Sequence, residues 1–313
     1  MQNINDIIDS LKVGISGGFP SSIKYIVKDS ILSLTFGDKQ KTLREFDCWG
    51  FAYFDALNEL LENNNIEIIK HITFEIKTTF FKQHHIESFK RRLSFLNENN
   101  QNIKIDFYLD TKQEELYTIS KMIEIGKVEI LRNELKTRTD DNTSGKLEKD
   151  FQSYLFGKDL QIDTERTNER LALLGSDFLK QKNKKRILLR EFPTGSFKNQ
   201  VKEENRIMPT EYIDLVTTNK EDRLSLIELK VSDIKLDVIS QSLDYSLYFI
   251  IYKNQLNKIL SDNNISYNKK VHFNTYIVNN NFHSRFNSIF KYYQPSNNNY
   301  FKFIKTTIGY YEN

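Results

Sequence analysis

Residues 212–230 read YIDLVTTNKEDRLSLIELK, and this stretch decides the fold of the half that contains it. Two apolar runs, Tyr212–Thr218 and Leu224 onward, flank the polar stretch Asn219–Arg223, the pattern of an antiparallel hairpin. A side-chain period of two puts Tyr212, Asp214 and Val216 on one face of the first strand. It puts Leu226, Glu228 and Lys230 on one face of the second. A turn centred near Glu221 sets Asp214 opposite Glu228. Opposed Cβ atoms lie about 4.5–5.5 Å apart, and like charges there destabilise the pair. Two carboxylates meeting inside apolar strands call for a cation. Their hard oxygens suit Mg²⁺ or Mn²⁺ rather than zinc. Lys230, one pleat further along, is placed to hold an attacking water or to offset phosphate charge. Alone, the hairpin also fits a plainer reading: a wet acidic edge on which Glu228 and Lys230 form a surface pair.

Outward from the hairpin, the pattern predicts a helix from near Gly145 to Phe156, with Leu147, Phe151 and Leu155 on one face. A second amphipathic stretch covers Asn168–Lys180, and Arg186–Phe192 reads as a strand. Downstream come a helix over Leu236–Tyr248, a strand over Val271–Val278, a short helix over Phe282–Tyr293 and a last strand over Tyr300–Tyr310. The order is helix, three-strand meander, helix, strand.

This order and these residues resemble the PD-(D/E)XK nuclease superfamily. Asp214, thirteen intervening residues, then Glu228-Leu229-Lys230 match its D…(D/E)-x-K motif. Eleven residues after Lys230, QSLDY sets Gln241 and Tyr245 at i and i+4 on one helical face, which resembles the Q-x-x-x-Y helix of RecB-type exonuclease domains. LEKDFQSYLF places Glu148 on the opening helix, where many members carry a glutamate that completes the metal site. The spacing is also similar to mismatch endonucleases and Shedu-type defence nucleases. The resemblance covers about residues 145–310. Two features depart from it. The residues before Asp214 are Glu211-Tyr212-Ile213, without the motif proline, and Glu165 and Glu169 compete with Glu148 for the opening-helix role.

The resemblance implies a restriction-endonuclease-like αβββαβ core that hydrolyses DNA phosphodiester bonds, in anti-phage defence or repair, with RNA left open as substrate. It implies that Asp214, Glu228 and the Leu229 backbone carbonyl hold Mg²⁺ (or Mn²⁺), and that Glu148 orients the metal shell. Lys230 would position or activate water, while Gln241 and Tyr245 would support the site or contact the substrate backbone. The competing class is a non-catalytic nucleic-acid- or protein-binding module on the same scaffold. Lys182, Lys184, Lys185 and Arg186, with Lys180, form a basic cluster suited to phosphate; Lys198 and Lys202 are further candidates. A solvated helix end is the plain alternative for these.

The first half alternates strand and helix: one or two strands in Ile23–Phe36, a helix over Leu43–Asn63, and a strand over Ile72–Thr78. A helix over Ile86–Asn97 with Lys90, Arg91 and Arg92 outside follows, then a strand over Ile103–Leu109 and a helix over Lys112–Ile125. That rhythm predicts an α/β layer domain of sensing, recognition or oligomerising role, without a phosphate-loop or dinucleotide glycine pattern. The polar run KTRTDDNTSG at 136–145 predicts a linker, and so an α/β domain over 1–138 joined to a nuclease-like domain over 139–313.

Composition bounds the rest. Of 313 residues, 39% are hydrophobic and 13% aromatic, which excludes disorder. Cys48 is the single cysteine, so an internal disulfide and multi-thiolate metal sites are excluded. No apolar run nears the ~18 residues of a spanning helix, and MQNINDIIDS lacks the regions of a secretory signal, so the expectation is a cytoplasmic protein with no membrane partner. A homo-oligomer is left open. The net charge of +3 divides into −2 over residues 1–140 and +5 over the remainder; ordinary fluctuation is the favoured reading of that difference alone, and a polyanion, if there is one, is expected on the second half. His71, His84, His85, His272 and His283 lack metal-ligand spacing. Cys48 beside Trp49 and the aromatics of the last strand read as packing.

Overall fold

The computed structural model describes residues 19–20, 22–36, 43–132, 147–156, 169–179, 186–209, 211–232, 234–296 and 300–309. The chain is α/β and divides into two compact units: residues 1–122 with 284–293, and residues 123–283 with 294–313. The expected division at 138/139 therefore moves to 122/123, and the helix Phe286–Tyr293 belongs to the first unit. The expected linker, 136–145, lies outside the described residues.

The first unit opens with strands β1 (Ile23–Lys28) and β2 (Ile31–Phe36). Asp29 and Ser30 turn between them with φ of 51° and 56°, the positive values that a two-residue hairpin needs. Helix α1 (Phe46–Asn63), strand β3 (His71–Ile76), helix α2 (Gln83–Asn99) and strands β4 (Lys104–Leu109) and β5 (Lys112–Glu114) follow. They build one sheet in the order β1-β2-β3-β4-β5, parallel from β2 to β4. Gly50 lets α1 approach β3 closely: a Cβ there would stand 2.4 Å from the Phe74 ring. The helix predicted over Lys112–Ile125 is confined to α3 (Ile119–Gly126). Asp110 and Thr111, at φ of 48° and 72°, turn the chain back so that Lys112–Glu114 pairs with β4 instead. Lys90, Arg91 and Arg92, expected outside, are buried. Lys90 pairs with Glu114 at 2.8 Å and Arg92 with Asp47 at 3.0 Å, so burial there is compensated rather than avoided.

In the second unit, after strand β6 (Ile130–Leu131), helix α4 (Leu147–Phe156) precedes strands β7 (Leu189–Pro193), β8 (Ser196–Phe197), β9 (Tyr212–Thr218) and β10 (Leu224–Lys230). Helices α5 (Asp237–Ile251) and α6 (Lys253–Asp262), then strands β11 (Phe273–Asn279) and β12 (Phe301–Thr307), complete it. The main sheet runs β12-β11-β10-β9-β7, with the meander antiparallel and β10, β11 and β12 parallel. This is the helix, meander, helix, strand order read from the sequence. The amphipathic stretch expected over Asn168–Lys180 is interrupted: Gly175 at φ 119° separates two single turns, Ala172–Leu174 and Ser176–Phe178. Leu155, Phe178, Leu215, Ile227 and Val278 meet in the core between α4, these turns and the sheet. No helix of the described residues is long and apolar enough to cross a membrane.

Candidate active site

The ladder between β9 and β10 runs from Leu224↔Thr218 to Ile227↔Leu215. The next pair in that register is Glu228 with Asp214, the opposition expected from a turn near Glu221. Here the backbone pairing stops and side chains take over. The Leu229 N–H donates to Asp214 Oδ2 at 2.7 Å. On the other side of β9, Arg190 pairs with Leu215 and Phe192 with Ile213, while Glu191 between them adopts φ 50° and leaves the ladder. A non-glycine residue in the left-handed region is strained, and such strain collects at functional sites. Asp214 is thus released from strand pairing on both sides, and its carbonyl accepts from the Gln152 amide at 3.2 Å.

The four charged groups form one cluster. Lys230 Nζ stands 2.8 Å from Glu228 Oε1 and 3.4 Å from Glu148 Oε1. Glu228 is 2% exposed, and its other oxygen, Oε2, is buried without a hydrogen-bond partner. An unpaired buried carboxylate oxygen is costly and calls for a charge partner. Burial pushes the Asp214 carboxyl up to about 6, against the opposing pull of Lys230 and the Leu229 N–H. Burial, then the Asp214 charge, pushes Glu228 well above the carboxylate range. Lys230 loses from burial but is held above its ordinary value by Glu228, Asp214 and Glu148. Three carboxylates share one ammonium, and the surplus is negative.

Helix α4 supplies a residue that the sequence reading missed. Gln152, one turn after Glu148, is buried and donates to Asp214 Oδ1 at 3.0 Å, while its own oxygen accepts from Arg190 Nε at 3.1 Å. The signal was present in the i, i+4 spacing from Glu148 to Gln152. On α5, Gln241 Nε2 donates to the Tyr245 hydroxyl at 2.6 Å, and that hydroxyl donates to the Tyr212 carbonyl at 2.9 Å. Burial, with the Glu228 charge second, raises the Tyr245 hydroxyl well above its ordinary value, so it stays a donor. Gln241 and Tyr245 therefore brace the start of β9 rather than pointing into solvent.

Other expected residues fall elsewhere. Arg186 is buried and donates to the carbonyls of Phe178 and Leu179 at 2.6 and 2.9 Å. Both of its terminal guanidinium nitrogens are buried on main-chain carbonyls, which corrects its assignment to phosphate binding. Lys180, Lys182, Lys184, Lys185 and Glu165 lie outside the described residues. Lys198 and Lys202 are exposed in the loop after β8, and Glu169 is exposed. Cys48 is buried and donates to the Tyr293 hydroxyl at 3.3 Å, as packing predicted.

No protein-family model, curated protein or solved structure matches the chain. The geometry therefore carries the functional argument. The Glu228 Oε2 beside Asp214 fits a hard divalent cation, because both groups supply hard oxygen and a cation would take the place of the proton that burial holds on Glu228. The Leu229 carbonyl belongs to the same edge, since the N–H and carbonyl of one strand residue face one neighbour, and this N–H faces Asp214. Among the described residues no group of three or more His, Cys, Asp or Glu side chains converges as a ready metal cage. Glu148 reaches the pair through Lys230 instead.

Proposed function

We propose that the second unit is a divalent-cation-dependent nuclease of the PD-(D/E)XK kind, acting on DNA. One observation carries this reading. A buried and a half-buried carboxylate converge at the end of a hairpin, the buried one with an unpartnered oxygen, beside a lysine held by two carboxylates. The element order and the Gln241–Tyr245 brace agree with it. Asp214, Glu228 and the Leu229 carbonyl would hold the cation. A bound Mg²⁺ or Mn²⁺ supplies Lewis-acid polarisation of a phosphoryl oxygen and acidifies a coordinated water.

The residues themselves do the positioning. Gln152 fixes the Asp214 carboxylate from one side and the Leu229 N–H from the other, leaving its orientation little freedom. Lys230 remains an ammonium, because three carboxylates outweigh its burial. As an ammonium it is placed to donate to water or to a phosphate oxygen. Glu148 orients that ammonium. Defence against foreign DNA or repair is the setting in which such an activity would serve.

The test is incubation of the full chain with linear, circular, nicked and single-stranded DNA, with Mg²⁺, Mn²⁺ or chelator. Cleavage that needs the cation and vanishes in Glu228→Gln supports the reading; equal cleavage by that variant overturns it. The lack of a third converging ligand among the described residues favours a second reading, a non-catalytic binding module. Thermal stabilisation by Mn²⁺ that is lost in Asp214→Asn separates the two, because the module has no use for the cation.

A further inference from the structure

Helix α4 presents two stripes. Glu148 and Gln152 reach the carboxylate cluster, while Leu147, Phe151 and Tyr154 line a cavity of about 420 Å³. That volume is in the range of small-ligand sites, roughly 300–1,000 Å³. Its other walls are Leu173 and the residues that directly follow the parallel strands: Val231 and Ser232 after β10, Asn280 after β11, and Ile308 and Gly309 after β12. Cavity and carboxylates thus share one end of the sheet, and Val231 adjoins Lys230 in the chain.

The lining has the chemistry of a base pocket. Leu147 and Tyr154 are exposed, an unusual state for large apolar side chains on a helix that also contributes to the core. Arg170 lies over the Tyr154 ring at 4.4 Å and donates to its carbonyl at 2.6 Å, fixing the aromatic wall. The Ser232 N–H donates to Asn280 Oδ1 at 2.7 Å, which ties two of the loops together. Asp150 lines the same cavity, and its Oδ1 is buried without a hydrogen-bond partner. A carboxylate oxygen only accepts, so what it lacks is a donor, and an N–H edge is one that can serve. A planar ring with an N–H edge satisfies both features, and a nucleobase is such a ring.

We propose that this cavity receives one unpaired nucleobase of the strand whose phosphate lies at Asp214 and Glu228; the inference rests on the nuclease reading above. Base–aromatic stacking strengthens binding about 5- to 150-fold per base, and drawing a paired base out of a duplex costs a comparable factor. The cavity therefore gains nothing from an intact duplex. It favours single strands, frayed ends and mismatches, where the base is already free.

The experiment maps the cleaved bond with the full chain and Mg²⁺, then places a single abasic site at each flanking position. One position is expected to lose about tenfold in cleavage rate, with the other positions near unity. Gly309→Phe is the blocking variant, because Gly309 lines the cavity and a Cβ there meets open space, so a ring can be added without a clash. It should reduce the intact substrate to the abasic level and leave the melting temperature in place. Tyr154→Ala should act in the same direction. A flat abasic scan by a cleaving enzyme overturns this inference alone, as does undiminished abasic sensitivity in Gly309→Phe. A loss of stability in Tyr154→Ala without any base discrimination would assign the cavity to packing. No cleavage of any DNA by the unmodified chain removes the nuclease reading and this inference with it.

Discussion

Each unit buries a charged cluster, and the two are built to opposite ends. In the first, Asp47 is 0% and Arg92 2% exposed. Arg92 donates to both Asp47 oxygens at 3.1 and 3.0 Å and to the Leu43 carbonyl at 2.7 Å, while the Tyr293 hydroxyl donates to Asp47 at 2.8 Å. Both carboxylate oxygens of Asp47 accept from Arg92, and the carboxylate has a donor to spare in Tyr293. In the second, Asp214, Glu228 and Glu148 surround Lys230 alone, and Glu228 Oε2 has no donor. The first cluster is sealed from water, whereas in the second only Glu228 is, with Lys230 15% and Glu148 35% exposed. A matched pair stabilises a fold; a surplus of buried negative charge stores a demand that a cation or substrate can meet.

The largest effect should therefore appear as activity in one cluster and stability in the other. Glu228→Gln is expected to reduce cleavage at least about 10³-fold, the scale of losing several kcal/mol of charge stabilisation. The metal-free protein should be no less stable and should gain, since repulsion is relieved. Asp47→Asn should do the reverse, costing about 3–5 kcal/mol in denaturant unfolding by stranding Arg92. Similar stability losses in both would erase the contrast.

The next effect separates roles within the site. Lys230→Ala should halt turnover while Mn²⁺ still binds by calorimetry, because the ammonium supplies charge and no ligand atom. Loss of Mn²⁺ binding would mean that Lys230 organises the carboxylates.

Protonation gives a third test. Asp214, at about 6, and Glu228, higher, bind protons more tightly in the folded chain than the usual carboxylate near 4. Their contribution to stability is present below pH about 4 and is lost as pH rises through about 6 and beyond. Metal-free melting temperatures should fall across that window, and Glu228→Gln should flatten the fall. Mn²⁺ affinity should rise over the same range with proton release. A slope unchanged by the substitution would place the titration elsewhere.

Smaller effects sharpen the picture. Gln152→Ala removes a hydrogen bond to a charged group, about 1.5–3 kcal/mol, and should weaken Mn²⁺ binding by about tenfold or more. Gln241→Ala removes a neutral one and should be milder on cleavage rate. Neutralising Lys182, Lys184 and Lys185 should lower the salt slope of DNA binding by about 0.9 for each phosphate no longer neutralised; an unchanged slope would exclude them.

The carboxylate hairpin was legible because its determinants are local. Period two and a polar turn fix which residue faces which, so Asp214 and Glu228 could be paired on paper. Gln241 and Tyr245 followed from helical spacing. The Lys90–Arg92 run was misread for the converse reason: three cations on a helix look solvated, and Asp47, the partner that buries Arg92, lies 45 residues away. Arg186 failed likewise, since main-chain carbonyls leave no mark in a sequence. Lys112–Glu114 had helical neighbours, but the positive φ of Asp110 and Thr111 was not forced by glycine and so carried no signal.

The helix Phe286–Tyr293 has a consequence for modularity. It is encoded between β11 and β12, yet it packs with α1 in the first unit, where Tyr292 stacks on Phe51 at 4.6 Å. One break in the chain cannot part the two units into clean pieces. A fragment from 139 onward carries a homeless aromatic helix, while the remainder loses Tyr293 from over Asp47. Parting the units as whole pieces takes cuts at 122/123, 283/284 and 293/294.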